Sequence, residues 1–155
     1  MEHEGRMEIK IFKIKKDQPE QLEIRCHEMT DTIREIVTFV KSRQGQLTGI
    51  IEGKQYEIPV TDVYYIEAVD NKMFIYCSKQ IYESRQKLYE LEEVLKEKHF
   101  LRVSKSLLLN LMKVKSIKPA LNGRFIGVLQ SGEEVMISRK YVPELKMALK
   151  GGARK

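Results

Sequence analysis

Phe100-Leu-Arg-Val-Ser-Lys-Ser-Leu-Leu-Leu-Asn110 is the stretch from which the fold of this chain reads outward. It sets a polar, basic cluster (Arg102, Ser104, Lys105, Ser106) directly against an apolar run, and Leu107, Leu108, Leu109 and the nearby Leu111 read as core. A strand anchored by such leucines is a rigid mount for hydrogen-bond donors. The same pairing of an apolar strand with a basic corner recurs roughly thirty residues later in Ile137-Ser-Arg-Lys140. Two such corners point to an anionic partner, with nucleic acid the first to consider.

Upstream of this stretch, Leu88, Leu91, Val94 and Leu95 repeat at helical spacing while Glu90, Glu92, Glu93, Lys96 and Glu97 take the wet face. This predicts a helix capped by Ser84 and running to about Lys98. Before it, Val63–Val69 and Met73–Cys77 are β-rich runs flanking the tight polar connection Asp70-Asn-Lys72, and Lys79–Glu83 suggests a further short strand. Gln46–Glu52 and Gln55–Val60 suggest a hairpin around Gly53. Downstream, the Asn122-Gly123 and Ser131-Gly132 turns divide Ser116–Leu121, Arg124–Gln130 and Glu134–Ser138 into a three-stranded meander. Pro119, with no amide hydrogen, belongs on an edge or at a bulge. Glu144–Lys150 reads as a short terminal helix.

The first 45 residues read as a β-β-α unit. Ile9, Ile11 and Ile14 alternate with Lys over Met7–Lys15, and Gln21–Cys26 alternates again. Ile33, Ile36, Val37 and Val40 then follow at helical spacing after a Thr30 or Asp31 cap. Such a unit is too small to bury its own apolar face, so it is expected to pack on the rest of the chain or on a second copy.

Composition narrows the function classes. A chain of 155 residues, 42% hydrophobic and 32% charged, has no run approaching the roughly 18 apolar residues of a membrane span. Met1-Glu-His-Glu4 lacks the basic and apolar regions of a signal peptide, so a cytoplasmic location is expected. Cys26 and Cys77 stand far apart and His3, His27 and His99 are scattered, which predicts no disulfide, no metal site and no cofactor. Neither the Glu92-Glu93 nor the Glu133-Glu134 pair has a His or Cys to work with, so an enzyme is not expected. Charge is polarised. From residue 98 onward there are 13 Lys and Arg against three Glu, a net of +10, whereas the first 97 residues carry −4. That is the electrostatic footprint of a polyanion binder.

Four segments in this order and spacing, Ile58–Ala68, the helix, Phe100–Asn110 and Gly132–Tyr141, resemble the LytTR (LytR/AgrA-type) DNA-binding domain over roughly residues 50–150. The resemblance implies a mainly β fold (α+β overall) of small antiparallel sheets with one or two helices, here preceded by the N-terminal β-β-α extension. It implies a division into an extension at 1–49, a domain at 50–150 and a basic tail at 151–155. It further implies a bacterial, response-regulator-like transcription factor that reads the major groove of duplex DNA through loops between strands.

The residues so implied as DNA-binding are Asn71, Lys72 and Met73 in the first loop; Arg102, Ser104, Lys105, Ser106 and Asn110 around the second; and Ser138, Arg139 and Lys140 in the third. The chain departs from the family in carrying Ser104 where many members have His, and Lys72 or Met73 where some do. Chemically, Arg139 offers a fork for guanine O6 and N7, and Lys72 and Lys105 are point charges for a phosphate or guanine edge. Met73 beside Phe74 suits a thymine methyl. Ser104, Ser106 and Asn110 suit phosphate oxygens or their own backbone. For Arg139 the competing reading is a salt bridge to Glu133, Glu134 or Glu67, and for Asn110 a buried turn-former. Tyr64, Tyr65, Tyr76, Tyr82 and Tyr89 lie in patterns that favour core or sheet surface over stacking on unpaired bases.

Only about 50 residues precede the matching region, short of a receiver domain, so a stand-alone regulator is expected. The expected partners are duplex DNA with paired repeats, a second copy of the chain, and a membrane protein or other protein at the N-terminal segment. An RNA or single-stranded nucleic-acid-binding module is the alternative.

Overall fold

Leu107, Leu108 and Leu109 are buried on both sides of one strand in the computed structural model, which describes residues 6–153. The elements are α1 (Asp31–Arg43), β1 (Gln46–Ile51), β2 (Lys54–Pro59), β3 (Val63–Val69), β4 (Lys72–Cys77), β5 (Ile81–Ser84), α2 (Leu88–Leu95), β6 (Phe100–Ser104), β7 (Leu107–Asn110), β8 (Val114–Pro119), β9 (Phe125–Leu129), β10 (Glu134–Ile137) and α3 (Val142–Ala153). They form a seven-stranded antiparallel sheet in the order β2-β1-β5-β4-β3-β7-β6 and a three-stranded meander in the order β10-β9-β8. The chain is therefore mainly β and α+β overall.

Alternation along β7 divides the interior into two cores. Leu108 joins Val63, Ile66, Ile75 and Phe100 beneath Leu88, Leu91 and Leu95 of α2. Leu107 and Leu109 instead join Tyr65 and Val103 against Leu129, Val135 and Ile137 of the meander and Val142 and Leu145 of α3. Successive side chains on a strand face opposite ways, so this leucine run is the central layer of three. Val63 and Ile66 sit in the same core although three residues apart, because β3 shifts register against β4 between Val63 and Tyr65.

The helix expected from Ser84 begins later, at Leu88. Ser84 belongs to β5, opposite Met73, and its hydroxyl accepts from the Gln86 amide at 3.0 Å, which turns the chain before the helix starts. Glu90 then supplies the cap, its carboxylate accepting from the Lys87 amide at 2.9 Å. The hairpin, the strands of the main sheet and the meander lie where the pattern predicts, and Pro119 ends the edge strand β8. Pro143 stands in the first turn of α3, where its missing N–H is of no consequence.

The N-terminal extension differs from the expected β-β-α unit. Its helix α1 forms, capped by the Thr30 hydroxyl, which accepts from the Ile33 amide at 3.2 Å. Lys41 ties that helix to the first hairpin through Thr48 at 2.8 Å and Glu57 at 2.6 Å. The two strands do not form. Residues 6–30 contain a turn, with the Gln18 amide on the Lys15 carbonyl at 3.0 Å, but no ladder, and every one of them is exposed. The alternation provides an apolar face, and two short strands alone provide nothing to cover it. The expected boundary between residues 49 and 50 falls inside β1. Helix α3 continues through Ala153 into the expected tail, whereas Arg154, Lys155 and the Met1–Glu4 stretch read for a signal peptide lie outside the described residues. No described helix is long and apolar enough to cross a membrane.

Cys77 closes β4 half-buried, and burial first, then the nearby Asp62, push its thiol up to about 11 against a smaller opposing effect of Lys113. A raised pKa keeps the group as unreactive thiol below that value. Alkylation at pH 8 should therefore modify exposed Cys26 and spare Cys77, whose labelling by mass spectrometry should rise roughly ten-fold per pH unit toward pH 11.

Candidate nucleic-acid interface

The first loop is a two-residue hairpin turn. Val69 pairs with Lys72, and the residues between them, Asp70 and Asn71, have φ of 51° and 66°. Asn and Asp are the non-glycine residues that best tolerate this left-handed turn, whose twist matches that of the flanking strands. Asn71 and Lys72 are exposed at its tip, and Met73 is half-buried at the start of β4.

The second loop is bound to the end of β3. The Ala68 amide donates to the Ser106 carbonyl at 2.8 Å, continuing the β3–β7 pairing into the turn. Within that turn the Ser104 hydroxyl accepts from the Ser106 amide at 3.2 Å, and the register shift between Arg102 and Ser104 bends the strand. Lys105 is exposed at the apex while Ser104 and Ser106 are half-buried.

The third loop is bound to β6, where the Ser138 amide donates to the Val103 carbonyl at 2.9 Å. Ser138 then opens the one-turn helix Arg139–Tyr141, leaving Arg139 and Lys140 exposed, the latter 5.6 Å from the Tyr141 ring centre. The stem of Arg139 lies over Gly123, where a β-carbon would come within 2.8 Å of Arg139 Cδ. Gly123 has φ of +75°, so the Asn122-Gly123 turn is both a hairpin feature and a bare seat for the arginine.

Two backbone hydrogen bonds thus draw Asn71–Met73, Ser104–Ser106 and Ser138–Lys140 to one edge. The carboxylates named from the sequence as partners for Arg139 face other groups. Glu134 pairs with Lys118 at 3.2 Å, Glu133 accepts from the Tyr65 hydroxyl at 2.5 Å, and Glu67 lies by the Tyr76 phenol, which burial first and then that charge push up. Among the described residues, Lys72, Lys105, Arg139 and Lys140 form no ion pair. Burial and then the Glu133 bond push the Tyr65 phenol far above its usual value, so it stays a donor that ties the main sheet to the meander.

Two expected site residues are turned to structural use. Asn110 is 2% exposed; its amide donates to the Val63 carbonyl at 2.8 Å and its carbonyl accepts from the Met112 amide at 3.0 Å. It is the buried turn-former and does not reach the exposed edge. Arg102 folds inward, one guanidinium nitrogen 3.0 Å from Glu92 on α2 and the other donating to the Lys105 carbonyl at 2.9 Å. It splints the second loop onto the helix. The tyrosines are likewise occupied. Tyr65 stacks on Tyr76 with centroids 4.4 Å apart, Tyr82 tilts against Tyr56, and Lys113 sits over Tyr64. Tyr89 alone of the five named from the sequence is exposed, on α2.

Residues 53–150 match the LytTr DNA-binding domain family. The LytTr DNA-binding domain of a response regulator from Bacillus cereus superposes with a TM-score of 0.64 at 25% identity, covering 68% of this chain and 96% of that one. The chain is 28% identical over 140 residues to the sensory transduction protein LytT of Bacillus cereus, matching 90% of itself but only 54% of that protein's length. It is also 26% identical over 145 residues to an HTH-type transcriptional regulator of Staphylococcus aureus strain MSSA476, matching 92% of itself and 98% of that protein.

Replacing Arg102 by Ala should destabilise the fold by about 1–3 kcal/mol through loss of the charged hydrogen bonds and stem packing. Lys should not restore it, because an ammonium cannot bridge both partners as the guanidinium fork does. Thermal unfolding of the two variants checks this, and the salt dependence of nucleic-acid binding should keep the wild-type slope if Arg102 contacts no phosphate.

Proposed function

The chain belongs to the LytTr DNA-binding domain family, and from that membership we propose that it is a bacterial transcriptional regulator that reads duplex DNA sequence through the edge bearing its three turns. The observation that supports this most is the pair of backbone bonds, Ala68 to Ser106 and Ser138 to Val103, which bring onto one edge four cations that have no carboxylate partner among the described residues. A rigid set of donors of this kind loses little entropy on binding. The α2 helix is sealed against the sheet by Leu88, Leu91 and Leu95 and carries Glu90, Glu92 and Glu93 outside, so it is poorly suited to a groove lined by phosphates.

Roles divide by chemistry. Arg139, stiffened by its seat on Gly123, is the base reader, its fork matched to guanine O6 and N7. Lys105 at its apex and Lys140 beside Arg139 are phosphate contacts, and Lys72 and Asn71 serve the first turn. Met73, half-buried behind Lys72, offers its edge to a thymine methyl. Ser104 and Ser106 shape their turn and Ser138 anchors the third, leaving their hydroxyls for phosphate oxygens. The regulator acts in the cytoplasm on paired sites, two copies side by side.

In-vitro selection of bound duplexes, followed by binding across a salt series, tests this reading. It predicts an enriched motif and steep salt dependence; equal or tighter binding to single-stranded or RNA competitors would instead support a single-strand module. Arg139→Ala should cost about 1–3 kcal/mol of specific binding and relax preference at one position of the selected motif. Lys105→Ala should weaken all duplexes alike and lower the salt slope by about one.

A further inference from the structure

Between α1, α2 and β6 lies a groove of ≈ 780 Å³ that the DNA-facing edge does not use. Its walls are apolar, from Phe39 on α1, Tyr89 and Val94 on α2, and Phe100 and Leu101 on β6. Phe39 is 51% and Tyr89 62% exposed, so the groove is open. Its rim is acidic, with Glu35, Glu90, Glu92, Glu93 and Glu144 against Lys96 and Arg102. Those two cations are spoken for, Lys96 by Glu93 at 2.9 Å and Arg102 by Glu92 at 3.0 Å. Glu35, Glu90 and Glu144 have no cation among the described residues, and the Glu35 carboxyl, lying against Glu90, is held above its usual value by that neighbour and by burial. An apolar trough edged by unneutralised carboxylates calls for a ligand that is apolar on one side and cationic at its end.

The chain carries such a segment. In the run Arg6–Lys16 there are five basic residues, Arg6, Lys10, Lys13, Lys15 and Lys16, and one acid, Glu8. Among the described residues, Lys10 alone of these has a carboxylate nearby, Glu8 at 3.7 Å. As an extended strand, its Met7, Ile9 and Ile11 share one side and continue into Lys13 and Lys15 on the same side. Ile9 and Ile11 are 89% and 87% exposed, an unusual state for two β-branched side chains in one run. The segment does not lie in its own groove, since residues 6–32 are all exposed.

We propose that the groove of each copy receives the Arg6–Lys16 arm of a second copy, with Ile9 and Ile11 in the apolar trough and Lys13 and Lys15 on the Glu35–Glu90 rim. One molecule holds both the open groove and the undocked arm, so reciprocal exchange satisfies both at once and closes a two-fold dimer. The arm thereby gains the cover that a two-stranded unit cannot give itself. The assembly forms without DNA, so its test is independent of the DNA-binding reading.

The full chain with Cys26→Ser and Cys77→Ser, carrying Ile11→Cys in the arm and Tyr89→Cys in the groove, tests the exchange directly. Mild oxidation should give a covalent dimer on a non-reducing gel. A disulfide closed within one chain, or none, overturns the proposal. Sedimentation velocity supplies the second arm of the test. The wild-type chain should dimerise, and Lys13→Glu with Lys15→Glu should weaken the dimer roughly ten-fold or more. Both side chains are exposed and form no ion pair among the described residues, and the turn at Gln18 uses only the Lys15 backbone, so folding is not at stake. Glu35→Lys with Glu144→Lys should weaken it similarly, and mixing the two variants should recover a heterodimer, because both of its arm-groove contacts, one charge-reversed and one wild-type, are then matched. A monomeric wild type, or a dimer indifferent to the arm substitutions, overturns it.

Discussion

Burial of the leucine run on both faces of β7 is the constraint from which the rest of the architecture follows. A strand whose successive side chains are all apolar must be covered on two sides. Here α2 covers Leu108 and the meander with α3 covers Leu107 and Leu109. With both layers pinned to the same strand, the turns at its ends cannot move independently. Ser106 continues directly from β7 and holds the end of β3, while Val103 on the partner strand holds Ser138. Three loops from distant parts of the sequence are thereby set by backbone geometry and not by side-chain chance.

Much of this was legible from the chain. Alternation marked the strands, the Asp70-Asn71 and Asn122-Gly123 pairs marked hairpins, and Leu107–Leu109 marked the core, because all of these are short-range consequences of side-chain period and turn chemistry. The two basic corners were legible as exposed turns on apolar strands for the same reason. What was not legible depends on tertiary neighbours. Arg102 and Lys105 look alike in sequence, and only the presence of Glu92 one helix away turns the first inward. For Asn110 the sequence offered both a DNA contact and a buried turn-former, and the Val63 carbonyl beside it decides for the second. The second role of Gly123, as a seat for Arg139, required knowing that the third loop crosses the meander turn.

The N-terminal run shows the limit of pattern reading most clearly. Its alternation is that of a strand, yet a strand needs a ladder partner, and the described chain offers it none. Local preference without a partner leaves extended backbone. The polarised charge has a similar two-sided meaning. The basic C-terminal part supplies Lys105, Arg139 and Lys140 of the three-turn edge, whereas Glu35, Glu90, Glu92, Glu93 and Glu144 line α2 and the groove beside it. One surface is suited to phosphates and the other repels them.

Amide chemical-shift mapping of the isotopically labelled chain, titrated with a duplex drawn from selection, tests the central claim that three separate turns act as one DNA-reading edge. Perturbations should concentrate together at residues 69–73, 104–106 and 138–140 and titrate with a single midpoint. Changes confined to one turn, or centred on α2 and the β1–β2 hairpin, would contradict it.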